Sequence, residues 1–293
     1  MTKIKILMLS LLFSQALVCC GNGENEDKGK NGIGFPPYIT EDYKYTKNPV
    51  SAVRLLTYNA FYCKSNTSVQ AFTEDNTKNF ADVIRVLDAD IVAIQELDSG
   101  VVSRGKRFLL KDIQQATGKN YTIIFAHAAK YDGGDIGCGL LISDKYKIEK
   151  VERIVLPGNE KRMLLIAHLK DFIVMSTHLD LDDNARKVSA GIIVDAAKAH
   201  NKPVWLAGDL NDSPAWEVAI SAFAILNQSF NIISAIDGEL KNNIDFVLLH
   251  KENAALITKM GSSYVKRLFI DGQVKELTAV SDHYPVFVDF RIK

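Results

Sequence analysis

The chain has 293 residues, 47% of them hydrophobic, and its 35 basic and 35 acidic side chains give a formal net charge of zero. Residues 1–50 hold six of the lysines and five of the acids; 35 less six leaves 29 basic residues in the remainder, and 35 less five leaves 30 acidic. A near-neutral domain lacks the basic excess of a tight, non-specific nucleic-acid binder, and two cysteines beyond residue 50 make no disulfide framework.

Lys3 and Lys5 precede the apolar run "ILMLSLLFSQALV", which has signal-peptide length and is too short for a comfortable spanning helix. It closes on Cys19 and Cys20. Leu17 and Gly21 around Cys20 resemble a bacterial lipoprotein signal, with Cys20 as the lipidated residue and Cys19 where a small residue is usual. Residues 1–20 are expected to export the protein and anchor it by lipid in the bacterial envelope, at the outer membrane or in the periplasm. An ordinary cleaved signal is the alternative. Residues 21–50, rich in Gly, Asn, acids and Pro, read as a solvated tether. Residues 51–293 carry no second linker and no repeat, so one domain is expected, as a monomer. Cys63 and Cys138 lack metal-ligand spacing and read as small buried side chains, with pairing as the alternative.

Short apolar runs of strand length follow in order: "VRLLTY", "DIVAIQ", "YTIIFA", "CGLLIS", "MLLIAHL", "FIVMST", "PVWLAG", "DFVLL" and "VFVDFRI". Two helical patterns lie between them. "TKNFADVIRVLDA" puts Phe80, Val83, Ile84 and Leu87 on one face, and "RKVSAGIIVDAAKAH" puts Val188, Ile192 and Ala196 on one. A short helix is predicted after Pro214. The adjacent runs 163–169 and 171–177 predict antiparallel pairing. Many strands with few helices give an α/β or α+β chain whose sheets are covered by helices.

The apolar runs share one property. "LLTYN" ends on Asn59, "AIQE" on Glu96 and "VMSTH" on His178; "WLAGDLN" supplies Asp209 and Asn211; "NIDF" places Asp245 at a strand start; and "AVSDHYPVF" places Asp282 and His283 before the last strand. Each alone has an ordinary reading as a turn former, a cap or a solvated side chain. Together they put polar groups at the edges of six strands, which favours chemistry. Carboxylates and amides without cysteine suit Mg²⁺ or Mn²⁺. Histidines beside such a centre serve as acid, base or donor, and with no evident nucleophilic Ser or Cys the set points to water attack on phosphorus.

These motifs, "LTYNAF", "IVAIQEL", "DGGDIGCGLLIS", "STHLD", "LAGDLND", "IDFVL" and "SDHYPVF", are similar in order and spacing to the endonuclease/exonuclease/phosphatase superfamily, the deoxyribonuclease-I-like metal-dependent phosphohydrolases. The resemblance spans about 51–293. It implies a four-layer α-β-β-α sandwich, two packed mixed sheets flanked by helices, with the site at one sheet edge. It implies metal ligation by Asn59, Glu96 and Asp282, and a water and phosphate positioned by Asp209 and Asn211. It also implies a His283–Asp245 pair that handles a proton, and a His178 that donates to phosphate oxygens. Arg162 lies near a position where many members carry arginine; a site role and a surface ion pair both remain open.

The chain departs from the pattern in two places. Ile136 stands where many members carry a tyrosine, and Asn243 and Ile244 precede Asp245 where duplex-DNA members often carry arginine. The expected activity is divalent-metal-dependent hydrolysis of phosphate esters, most simply by a phosphodiesterase or nuclease-like enzyme at the envelope. The expected substrate is nucleic acid, a phospholipid headgroup or a small phosphodiester. The alternatives are a sphingomyelinase- or inositol-phosphatase-like activity and a catalytically idle binding module. A sphingomyelinase needs an aromatic membrane-entering hairpin, whereas "SSYVKRLFID" reads as an ordinary strand.

Overall fold

The computed structural model describes residues 40–68, 70–236 and 238–293; the expected signal, the expected lipidation at Cys20 and most of the expected tether lie outside them. In chain order, β1 (Val53–Asn59) is followed by α1 (Glu74–Val86), β2 (Ile91–Ser99), α2 (Leu109–Thr117), β3 (Tyr121–Tyr131), β4 (Gly134–Ser143), β5 (Ile148–Leu156), β6 (Arg162–Leu169) and β7 (Ile173–His178). Then come α3 (Asp183–Lys198), β8 (Val204–Asp209), α4 (Phe223–Ser229), β9 (Phe230–Ile232), β10 (Asp245–His250), β11 (Ile257–Tyr264), β12 (Arg267–Ile270), β13 (Gln273–Glu276) and β14 (Val286–Ile292).

The strands build two six-stranded mixed sheets, ordered β11-β14-β1-β2-β4-β3 and β5-β6-β7-β8-β10-β9, with β12 and β13 as a separate hairpin. β1/β2 and β7/β8 are the parallel pairs; β6 and β7 pair antiparallel as expected. The period-2 alternation of a strand divides each sequence between two layers. β6 sends Met163, Leu165, Ala167 and Leu169 between the sheets and Leu164 and Ile166 toward α3 and α4. β1 likewise sends Val53 and Leu55 between the sheets and Leu56 and Tyr58 toward α1 and α2. The result is the predicted four-layer sandwich, and the central strands of both sheets are buried on both faces. That is why these strands read as continuous apolar runs.

All nine apolar runs are strands. β5 was not legible because its exposed, charged alternation, "IEKVERIVL", carries little apolar signal. α1 buries the expected Phe80, Val83 and Ile84, and its start is capped by Thr73, whose hydroxyl accepts from Asn76 N at 3.2 Å. α3 corrects the sequence reading. Its buried residues include Ser189, Ala190, Ile193, Val194 and Ala197, while Val188 is 56% exposed. Of the expected face, Ile192 and Ala196 are partly buried against the apolar cluster beneath the helix, and only Val188 points outward. No helix directly follows Pro214 either: 214–220 form turns, and α4 begins at Phe223.

Residues 40–50 are not purely solvated. Tyr45 is buried, and so is Lys47, whose ammonium bonds Asp90 at 2.9 Å. Cys63 and Cys138 are both free and buried, in different apolar clusters. The segment "SSYVKRLFID", expected as one strand, instead ends β11 and forms β12, which pairs with β13 as a hairpin; Leu268 and Ile270 are buried against α1 and its neighbours, and Phe269 is partly buried beneath the Lys44 ammonium. Among the described residues, no helix is long and apolar enough to cross a membrane.

Candidate active site

Strand register brings the polar residues to one level. His178 at the end of β7 pairs with Asp209 at the end of β8, and Asp209 pairs with Asp245 at the start of β10. In the facing sheet, Asn59 at the end of β1 pairs with Gln95, next to Glu96. Gly208 is required between these strands: a Cβ there would lie 2.2 Å from Thr177 O. The small residue lets β8 lie close to β7 just before the chain reaches Asp209.

Glu96 is aimed by a β-bulge. Ile94 pairs with Gly139 and Leu97 with Gly137, so Gln95 and Glu96 together face the single residue Cys138. Glu96 takes φ +52°, a left-handed backbone rare for a side-chain-bearing residue; such a conformation costs on the order of 1–3 kcal/mol and persists where packing enforces it. Asn211 does the same at φ +46°. The "GDLN" segment is therefore both a turn and a site. Asp209 Oδ1 accepts from Asn211 N at 2.9 Å and closes the turn. Its Oδ2 accepts from Asn59 Nδ2 at 3.0 Å and lies 3.4 Å from His178 Nε2 and 3.7 Å from His283 Nε2.

His283 Nδ1 is 2.7 Å from Asp245 Oδ2. That contact fixes the ring with Nδ1–H toward the carboxylate and turns Nε2 to the reaction centre. Burial alone would lower the pKa of His283, but Asp245, Asp209 and Asp282 outweigh it and push it up to about 10. His178 goes the other way, down to about 4, chiefly through burial, with Arg162 and His283 opposing its charge and Asp209 favouring it. His178 is therefore neutral at pH 7. Arg162 Nη1 stands 3.2 Å from its Nδ1 and Asn211 Nδ2 2.9 Å from its Nε2. Both neighbours are donors and a neutral ring has one acceptor nitrogen, so each tautomer satisfies one of them. Acceptance from Arg162 leaves the proton on Nε2, facing the centre.

The donor set fits a hard divalent cation. Glu96, Asp209 and Asp282 bring three carboxylates together. Burial, and then the charges of Asp282 and Asp209, raise the pKa of Glu96 against the hydrogen bond from Asn59 and the charge of His283. Asp245 Oδ1 is buried with no hydrogen-bond partner. Asp209, Asp245 and His283 also offer ligand atoms within 4.8 Å of one another. Asn59, expected as a ligand, is placed differently. Its Nδ2 donates to Glu96 Oε1 at 3.1 Å as well as to Asp209, while its Oδ1 accepts from Phe61 N at 2.9 Å. Ligation by its oxygen would need the amide turned half a revolution, at the expense of the Phe61 bond.

Residues 56–283 match the Endonuclease/Exonuclease/phosphatase family. The chain belongs to that family. It is accordingly a phosphoesterase-type hydrolase. A comparison with curated proteins gave no match. Among solved structures it is similar to an endonuclease/exonuclease/phosphatase from Bacteroides vulgatus, at 17% identity and a TM-score of 0.62, over 83% of this chain and 100% of that one. It is also similar to the mannosyl-6-phosphatase of Bacteroides thetaiotaomicron, at 17% identity and 0.60, over 82% and 100%. The human Nocturnin catalytic domain with bound sulfate is similar at 16% and 0.59, over 83% and 94%. At these identities the likeness shows the fold.

The candidate site thus gathers Asn59, Glu96, His178, Asp209, Asn211, Asp245, Asp282 and His283, takes in Arg162, whose role the sequence left open, and adds Asp180 and Tyr62, which sequence reasoning missed. Arg162 is mostly buried and touches His178; it also sits 3.2 Å from Glu160 and 3.6 Å from Asp180. Asp180, the last letter of "STHLD", is buried and accepts from Asp182 N and Glu160 N. Tyr62, at φ +52°, lines the same cleft as Glu96, Glu160, Arg162 and His178. Asp180 lies inside a quoted motif and Tyr62 directly follows one, so nearness to a motif was the available signal.

The His283 shift sets a pH dependence for protein treated with chelator. A pKa raised from 6.5 to about 10 contributes stability that is complete below pH 6.5 and is lost as pH climbs through 10. The buried Cys63 and Cys138 thiols, raised from 9 to about 12, act in the same direction only above pH 9. The urea midpoint of chelated protein is expected to fall between pH 6.5 and 8.5, and to fall less in His283→Ala. Equal slopes in the two proteins would contradict the His283–Asp245 coupling.

Proposed function

We propose that this family member is a Mg²⁺- or Mn²⁺-dependent phosphodiesterase, nuclease-like in its chemistry, that works on exported phosphate esters at the bacterial envelope. The observation that carries the chemistry is the row His178, Asp209 and Asp245 on three adjacent strands, faced by Asn59, Glu96 and His283. Glu96 and Asp282 would hold the ion, which supplies positive charge against the phosphoryl oxygens when bound.

The remaining work falls to the chain. Asp209 and Asn211, locked to each other through the turn, orient the attacking water and the phosphate. A phosphate oxygen is an acceptor, so its arrival selects the His178 tautomer with the proton on Nε2, while Arg162 supports the ring from Nδ1. His283, held by Asp245, gives or takes a proton at Nε2. The location rests on the apolar leader that closes at Cys20, with lipid anchoring as the proposed attachment.

A second reading has its own observation. The cleft beside the site is lined by Tyr62, Glu160 and Arg162, and the Glu160 carboxylate stands 3.2 Å from Arg162 Nη1. A carboxylate there accepts from hydroxyl groups, which suits a sugar or polyol monophosphate, and one structural relative is named a mannosyl-6-phosphatase. Purified protein with Mg²⁺ or Mn²⁺ is to be assayed on bis-p-nitrophenyl phosphate, p-nitrophenyl phosphate, mannose 6-phosphate, plasmid DNA and sphingomyelin. Turnover of the diester or DNA is expected. Preference for the monoesters would replace the first reading by the second, and silence on all would favour an idle binding module.

A further inference from the structure

A second cluster of ligand-type side chains lies far from the hydrolytic centre, and the hydrolase reading does not use it. Glu152 on β5, His168 on β6 and His200, just past the end of α3, each offer one ligand atom within 4.8 Å of the other two. His168 sits at the opposite end of β6 from Arg162. Six residues at 3.3 Å per residue separate them by about 20 Å along the strand. The cluster is thus distinct from the active site.

Its chemistry differs as well. Two imidazoles and one carboxylate form a borderline set that suits Zn²⁺ and its late first-row neighbours, where the oxygen-rich hydrolytic centre suits Mg²⁺. His168 Nε2 lies 2.6 Å from Glu152 Oε1. The His168 and His200 rings meet edge to face with centroids 5.0 Å apart. Among the described residues, the His200 ring makes no hydrogen bond, so its nitrogens are uncommitted. Burial, then the neighbouring His168 and Lys150, keep its pKa below the usual range, and Glu152 opposes them. All three residues are partly buried. His200 also follows the C-terminal end of a 16-residue helix, where the helix dipole favours a cation. Lys150 opposes one: its ammonium is 3.0 Å from Glu152 Oε2, which leaves Oε1 as the ligand oxygen.

The movement required is small. Zinc–ligand bonds of about 2.0–2.2 Å put tetrahedral donors roughly 3.3–3.6 Å apart. The His168–Glu152 pair would open by about 1 Å, and the other contacts would close by at most about 1.5 Å.

We infer that Glu152, His168 and His200 form a zinc site that clips β5 and β6 to the end of α3, with the fourth position open to water. Its role is to fasten an exposed edge strand and a helix end, so metal binding stabilises the fold without touching the hydrolytic centre.

The test uses the full chain with Mg²⁺ in excess, which occupies the oxygen-rich centre, and titrates Zn²⁺ alone by calorimetry while following thermal unfolding. His200→Ala and Glu152→Gln are compared with wild type; both change partly exposed positions. His168→Ala, on a sheet strand, is the more disruptive variant, and the comparison does not depend on it. Wild type is expected to bind one Zn²⁺ that the two variants lose or bind at least about tenfold more weakly. Zn²⁺ should raise the unfolding temperature of wild type alone, and Co²⁺ should give the visible bands of a nitrogen-ligated tetrahedral site in wild type alone. Mg²⁺-dependent hydrolysis should be unchanged in both variants. Failure of wild type to bind Zn²⁺, or equal binding by wild type and both variants, would overturn the assignment and leave a surface ion pair. Neither result bears on the hydrolase, because the variants leave its centre intact.

Discussion

Asp209→Ala is expected to lower kcat/KM on the preferred phosphate ester by on the order of 10³-fold or more, because one side chain holds several parts of the site at once. Its Oδ1 closes the turn that fixes Asn211, and its Oδ2 ties Asn59 and lies near both histidines. Truncation releases the Asn211 turn and removes the negative charge against which His283 is set. The fold should survive, because the change also relieves the crowding of Asp209 with Glu96 and Asp282 that raises the pKa of Glu96. Far-UV circular dichroism beside the kinetics separates the two effects. A folded variant with turnover within tenfold of wild type would remove Asp209 from the mechanism.

His283→Ala is expected to lose about 10²–10⁴-fold in kcat, the usual contribution of a positioned histidine that transfers a proton. The geometry behind this is the 2.7 Å contact with Asp245, which commits Nδ1 and leaves Nε2 for the reaction. Asp245→Asn tests the same pair from the other side. It keeps the volume and removes the charge that raises the histidine pKa, so the pH profile should shift to lower pH as well as fall in height. An Asp245→Asn enzyme with an unmoved pH profile would show that the carboxylate does no more than hold the ring. A His283→Ala enzyme with most of its turnover would remove the pair altogether.

The two predictions differ in how visible they were from the sequence. Strands buried on both faces announce themselves as apolar runs, and polar residues that end such runs stand out against them; hence Asn59, His178, Asp209 and Asp245 were legible. What brings them together is register, which no single run reveals: His178 opposite Asp209, and Asp209 opposite Asp245. The bulge that aims Glu96 depends on how β2 pairs with β4, so its left-handed backbone had no local signal. Asn59 was legible as a site residue, but its amide orientation follows from Phe61 N and two carboxylates distant in sequence. Arg162 could be read either way until the ring of His178 was seen against it. In α3 the buried face centres on Ser189, Ala190, Ile193, Val194 and Ala197, so the expected Ile192 and Ala196 lie at its margin and Val188 lies outside it. β5 carries too little apolar character to be distinguished from a loop.

The measurement that tests the central claim most directly is hydrolysis of bis-p-nitrophenyl phosphate by wild-type protein stripped with chelator and then given back Mg²⁺ or Mn²⁺. Activity should vanish on stripping and return in proportion to added metal, because three crowded carboxylates need a cation before they can face a phosphate. Full turnover by the stripped enzyme would contradict that account. It would mean that the neutral His178 and the His283–Asp245 pair carry the reaction without the ion.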